Sequence, residues 1–308
     1  MTVAPGVSAA VNPRTADAVD GTVVPVSIGA IPSAAVQLVR ICVALCLTML
    51  VIVLTSCSSG GSDPGGQLTS EPGTTSSALS PSPSSTSSAP PSTGPARVVV
   101  IDPGHNGGNS GAAEEINRPV PDGNGGTKPC NTVGTSTNAG YAEHAFTWAV
   151  SLAVRDLLTA HGIEVVLTRS DDAGVGPCVD ARAATADQVG AAAFVSIHAD
   201  GSAAGDRGFH VITTTLDPAG PDVGAASDAL ALAVRDAMST VLAPSNYIGT
   251  DGLNARGDLA GLNLNLRPAV YLECGNMRDA NDAALLRDPA GQANIAQAVA
   301  AAILGFLG

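Results

Sequence analysis

The stretch from Ser58 to Pro95 limits the fold more than any other feature of the sequence, because 31 of its 38 residues are Ser, Thr, Pro or Gly. It holds too little apolar surface to offset the entropy lost on ordering, so it reads as a disordered tether over 58–95. The core must be built elsewhere. Residues 1–35 are a mixed extension without sustained periodicity, expected to be unstructured. Arg40 and the run 41–54, apolar at every position except Thr48, follow it. Fourteen residues fall short of the ~20 that cross a bilayer as a helix. A positive charge, a short apolar run and then Leu54-Thr55-Ser56-Cys57 read as an export signal over 36–57.

Those last four residues resemble the lipobox of bacterial lipoproteins, which implies that Cys57 becomes the lipidated first residue of the mature chain. An uncleaved signal-anchor is the alternative. The balance of 14 basic against 27 acidic residues gives a net charge of −13, and Lys128 is the only lysine. Nucleic acid is therefore excluded as a partner, since phosphate binding depends on clustered Lys and Arg. Charge cannot hold such a chain on an anionic membrane either. A lipid anchor on the outer face of the cytoplasmic membrane is the expected attachment, with the protein in the cell envelope.

Residues 96–308 are long enough for one domain with a well-buried core, which by size scaling hides ~70% of its unfolded surface. Strand-like runs lie at 97–102, 163–169, 192–200, 209–215 and 269–275, with helix-like runs at 142–161, 222–242 and 290–307. Nearly continuous apolar strands alternating with helices predict an α/β domain with a mostly parallel sheet flanked by helices. Ligands of such sheets bind beyond the carboxyl ends of the strands. Those ends carry Asp102-Pro-Gly-His105, Ser196-Ile-His198-Ala-Asp200 and Glu273-Cys-Gly-Asn276. Two His and a Glu at one edge are what a catalytic zinc site uses, with a helix-borne carboxylate as a further ligand.

VVVIDPGHNGG at 98–108, Glu143 before an amphipathic helix, Thr168-Arg169, Arg182, FVSIHAD at 194–200 and YLECGNM at 271–277 resemble the zinc-dependent N-acetylmuramoyl-L-alanine amidases. NAGYxEHxFTW at 138–148, GPCVDxRA at 176–183 and YIGxDGL at 247–253 are similar to stretches of mycobacterial peptidoglycan amidases. The resemblance covers 96–308. It implies one zinc ion held by His105, Glu143 and His198, with Glu273 as the catalytic carboxylate and peptidoglycan or muropeptides as substrate. Spacing alone leaves Glu114 and Glu115 open in place of Glu143. Hydrolysis without a covalent intermediate fits a chain with no convincing Ser or Cys nucleophile.

The remaining candidates are weaker. His144 is turned ~100° from Glu143 on a helix; His161 reads as a surface residue at a helix end and His210 as structural. Arg169, Arg182 and Asn276 are substrate-binding candidates, with ordinary ion pairing the alternative for the two arginines. Cys274, beside Glu273, faces the other side of a strand and reads as a core thiol. In an exported protein Cys130 and Cys178 are then the natural disulfide pair, with two free thiols the alternative. That bridge would tie down the long loop 106–141 beside the zinc mouth. A zinc hydrolase acting on another amide, such as a peptidase or sugar deacetylase, and a non-catalytic wall-binding module are the rival functions.

Overall fold

The computed structural model describes residues 97–308. The expected export signal, Cys57 and the expected tether lie outside the described residues. In chain order the strands are β1 (Val98–Pro103), β2 (Pro119–Pro121), β3 (Thr127–Pro129), β4 (Glu164–Leu167), β5 (Ala193–Asp200), β6 (His210–Thr214), β7 (Leu253–Arg256) and β8 (Ala269–Asn276). The helices are α1 (Ala113–Ile116), α2 (Glu143–Ala160), α3 (Val179–Gln188), α4 (Pro221–Met238), α5 (Ala260–Asn263), α6 (Ala280–Arg287) and α7 (Pro289–Leu307).

Six strands form one sheet in the order β4-β1-β5-β8-β6-β7, and β2 and β3 form a separate hairpin. Within the large sheet only the β6–β8 pair is antiparallel. The expected mostly parallel α/β architecture is the one observed. Strands β1, β5 and β8 are parallel neighbours, so their carboxyl ends open at the same edge. Three stretches far apart in sequence meet there.

Strand alternation sends Val99, Ile101, Val195, Ile197, Val270, Leu272 and Cys274 to one face, where they pack with Phe146, Val150 and Val154 of α2, Leu230 of α4 and Ile295 and Val299 of α7. Helix α2 forms because Phe146, Val150, Val154 and Leu158 recur every four residues on its buried side. It stops where Gly162 adopts φ 77°, the left-handed conformation that suits glycine after a helix end. Helix α7 is long and apolar enough by composition to cross a membrane. Its apolar side is committed to the core. The opposite face of the sheet carries Val100, Phe194, Ile212 and Tyr271 under Ala186 of α3 and Leu262 of α5.

Three local expectations change. The segment 106–141 is not a bare loop: it contains a 3-10 turn at Gly107–Gly111, helix α1 and the β2–β3 hairpin. The strand expected over 163–169 ends at Leu167, and the helix expected to reach 242 ends at Met238. Helix α3 and strand β7 have no apolar signature, since α3 buries little besides Arg182, Ala183 and Ala186, and β7 reads Leu-Asn-Ala-Arg at the sheet edge.

Candidate metal centre

Beyond Pro103 the chain turns sharply through Gly104 into His105, which takes φ 60°, a conformation uncommon outside glycine. A Cβ at Gly104 would collide with the His198 imidazole, so the turn favours glycine there. The turn brings His105 against Glu143, the first residue of α2, and His198, near the end of β5. His105 Nε2 and His198 Nδ1 lie 3.0 and 3.1 Å from the same oxygen, Oε1 of Glu143. The potential ligand atoms of these three residues all fall within 4.8 Å of one another. The rings of His105 and His198 meet edge to face at 4.9 Å, and His198 stacks on Tyr271.

Each member is fixed from behind. His105 Nδ1 faces the carbonyl of Thr132 at 3.1 Å, so Nδ1–H donates outward and Nε2 keeps its lone pair for the centre. Glu143 Oε2 accepts from the Thr135 amide at 2.9 Å, and Oε1 from the Ala199 amide at 3.2 Å. Against a desolvation that would raise it, the two imidazoles hold the Glu143 carboxyl far below the usual range. Two imidazole nitrogens and a carboxylate oxygen aimed at one point form the N,N,O donor set of a catalytic metal site, and the residues fit a divalent cation. Glu114 and Glu115 lie exposed on α1, away from this cluster.

Glu273 enters the same pocket from β8, opposite His198 in register. Its Oε2 is shut off from solvent with no hydrogen-bond partner. Desolvation, with the Asp200 and Glu143 carboxylates nearby, pushes its carboxyl well above the ordinary range. Asp200, at the end of β5, accepts a hydrogen bond from the hydroxyl of Tyr247. His210 is buried across the strand pair from Glu273, with Nδ1 3.7 Å from Asp200. Cys274, next in the chain, is fully buried on the other face of the sheet.

Both arginine candidates are buried, and their donors meet protein acceptors. Arg182 pairs with Asp102 at 2.8 Å and donates to the carbonyls of Pro103 and His105, each at 2.8 Å. Arg169 bonds the Pro103 carbonyl at 2.9 Å and pairs with Asp172 at 2.9 Å. These are the ion pairs weighed as the alternative. The two arginines clamp the turn that carries His105. Asn276 is fully buried and donates to the carbonyls of Ala203 and Asp206.

Cys130 and Cys178 are joined, with Cα atoms 4.4 Å apart. The bridge anchors the loop that supplies Thr132 to the residue preceding α3, which carries Arg182. His144 lies outside the cluster, with Nδ1 2.9 Å from both Asp172 oxygens, and His161 is an exposed cap at the end of α2. Sequence reasoning assigned no role to Asp102, Thr132 or Tyr271. Asp102 alone left a signal, a charge ending an apolar strand.

A family model described as N-acetylmuramoyl-L-alanine amidase matches residues 99–305. The N-acetylmuramoyl-L-alanine amidase Rv3717 of Mycobacterium tuberculosis is 46% identical over 211 residues, spanning 68% of this chain and 86% of that protein. AmiA of Escherichia coli, also an N-acetylmuramoyl-L-alanine amidase, is 38% identical over 109 residues, 35% of this chain and 29% of AmiA. Among solved structures, the apo form of the amidase Ami1 from Mycobacterium abscessus superposes with a TM-score of 0.66 at 46% identity, covering 69% of this chain and 99% of that one. A match over most of the described residues, together with a His-Glu-His cluster at the shared strand edge, makes the chain a member of the N-acetylmuramoyl-L-alanine amidase family.

Proposed function

We propose that the chain hydrolyses the amide between the lactyl group of N-acetylmuramic acid and the L-alanine of the stem peptide in peptidoglycan, with zinc as its metal. The observation that carries the reading is the convergence of His105, Glu143 and His198 within 4.8 Å in a pocket that Glu273 also lines. His105, Glu143 and His198 would hold the ion. When bound, zinc supplies Lewis acidity, polarising an amide carbonyl and acidifying water.

Glu273 then takes the proton from the attacking water onto its unpartnered carboxylate oxygen. Its desolvated surroundings make it a stronger base than an exposed glutamate. The same carboxyl returns the proton to the amide nitrogen as the bond to L-alanine breaks. Both charges and atoms balance without a covalent enzyme intermediate. Asp102 and Arg182 touch no substrate and serve to hold the turn under His105.

The test is digestion of whole peptidoglycan followed by mass spectrometry of the released material. Intact stem peptides with a free L-alanine amino group are expected, together with unpeptidated glycan. Peptide fragments cut internally, or deacetylated sugars with the stem still attached, would overturn the reading. We further propose that 96–308 is the catalytic domain and that Cys57 is acylated, with 58–95 as the tether; the support is the apolar run 41–54 and the Leu54-Thr55-Ser56-Cys57 at its end. Intact-mass analysis of the native protein should show a diacyl-sized adduct that Cys57→Ala removes.

A further inference from the structure

We propose that a second cavity beside the metal centre, rimmed by Arg278 and His144, receives a carboxylate of the stem peptide and so sets which way the substrate lies. The inference rests on the amidase reading above and adds a binding direction to it. The cavity measures about 300 Å³ and runs past Gly134, Thr135 and Ser136. Thr135 also lines the pocket of the metal centre, so the two spaces adjoin.

Their linings differ in the acids they carry. The main pocket mixes both signs, with Asp102, Glu143, Asp200 and Glu273 beside Lys128 and Arg182. No acidic residue lines the second cavity, although the chain carries a net charge of −13. Arg278, at its rim, is half-buried; its Nη1 donates to Oδ1 of Asn138 at 3.1 Å, and no carboxylate among the described residues pairs with it. Behind the cavity, Asp172 is taken by Arg169 and His144, and Glu143 accepts from the Thr135 amide and faces the metal centre.

The scissile bond divides the substrate into unlike halves. On the sugar side the lactyl carboxyl is consumed in the amide, which leaves hydroxyl and acetamido groups and no charge. Every free carboxylate lies on the peptide side. An unpaired guanidinium in an acid-free cavity attracts that half. The peptide therefore lies over Arg278 and the sugar over the main pocket. This arginine, which the sequence gives no reason to single out, takes the part that sequence reasoning offered to Arg169 and Arg182.

The experiment compares two muramoyl peptides, identical except that the carboxylate nearest the L-alanine is free in one and carried as a primary amide in the other. The full-length zinc-loaded protein is expected to prefer the free acid by roughly tenfold or more in kcat/KM, the scale of one charge-assisted hydrogen bond. Arg278→Gln should bring the ratio to about one, and Arg278→Lys should keep most of it. Zinc content measured on each variant reports that the neighbouring centre is intact, and the Lys variant decides the matter if the Gln variant fails to fold. Equal rates on both substrates in the wild type, or an unchanged ratio in Arg278→Gln, would overturn this inference alone. A wild type that cuts neither substrate at the lactyl bond would overturn the amidase reading and this inference with it.

Discussion

The two faces of the central sheet do different work. One is apolar along its whole length and lies under the long helices α2, α4 and α7. The other begins apolar, with Val100, Phe194 and Tyr271, and turns polar toward the carboxyl ends, with Asp102, Ser196, His198 and Glu273. The helices above it, α3 and α5, run only over Val179–Gln188 and Ala260–Asn263. The thick face supplies the burial that keeps the strands in register. The thin face leaves the polar strand ends uncovered, and that is where the pocket lies. Strand alternation makes this division possible, because neighbours such as Glu273 and Cys274 are separated by the sheet itself.

The largest expected effect breaks the thin face at its centre. His198→Ala removes one of the three proposed ligands, and purified protein should fall from about one zinc per chain to none, with activity abolished. Metal analysis beside the wild type checks this. Full zinc occupancy in the variant would remove His198 from the ligand set. Next comes Glu273→Gln, which keeps the shape of the side chain and removes its ability to take a proton. Turnover should fall ~10²–10⁴-fold while zinc content and fold stay as in the wild type. Near-normal turnover would assign the proton transfer elsewhere.

The polar half of that face also bears on stability. Asp102 and Arg182 form a buried pair at 2.8 Å, and Asp102 further accepts hydrogen bonds from Ser196 and Thr168. Removing one partner of such a pair costs about 3–5 kcal/mol, because the other charge is left buried and uncompensated. Arg182→Ala should show that loss in urea unfolding. Burial alone would raise the Asp102 carboxyl, but Arg182 and the two hydroxyls outweigh it and hold it below its ordinary value. A depressed carboxylate contributes stability that is complete above the unfolded value of ~3.9 and lost as pH falls through the lower folded value. Asp102→Asn should therefore be less stable at neutral pH and lose less on acidification. Parallel acid-unfolding curves for variant and wild type would show that the pair has no such linkage.

The disulfide is the next test. It ties Cys130 to Cys178 across 48 positions, and the chain-entropy estimate for such a loop is ~4 kcal/mol, an upper figure because strain and residual unfolded structure reduce it. The double Cys→Ala variant should unfold at lower denaturant and lose activity at lower temperature, since Thr132 and Arg182 flank the bridge. Zinc binding at low temperature should persist.

The thick face was legible from periodicity alone: the stripe Phe146, Val150, Val154, Leu158 and the runs around Val99, Val195 and Leu272 show it without any partner. So was the convergence of His105, His198 and Glu273, because the ends of parallel strands share an edge. The choice of Glu143 over Glu114 and Glu115 was not legible from spacing, and rested on resemblance. Only the folded chain puts Glu143 Oε1 within 3.1 Å of both imidazoles. Helix α3 was hidden for a physical reason. It buries an arginine against an aspartate where periodicity looks for apolar side chains.

The smallest expected effect comes from the thick face at the point nearest the chemistry. Cys274 follows Glu273 directly, yet it is fully buried among Leu272, Met277 and the helices on the far side. Burial, and then the carboxylates of Glu273 and Glu143, push its thiol well above the ordinary range, so it stays protonated and unreactive. Cys274→Ala removes one sulfur's worth of packing and leaves the thin face untouched, so the expected cost is about 1 kcal/mol in stability with kcat and KM unchanged. Native protein should also resist alkylation at Cys274 until denaturant is added. A large drop in kcat for Cys274→Ala, with normal stability and zinc, would mean that the sheet does not insulate the two faces and that packing behind Glu273 sets its position.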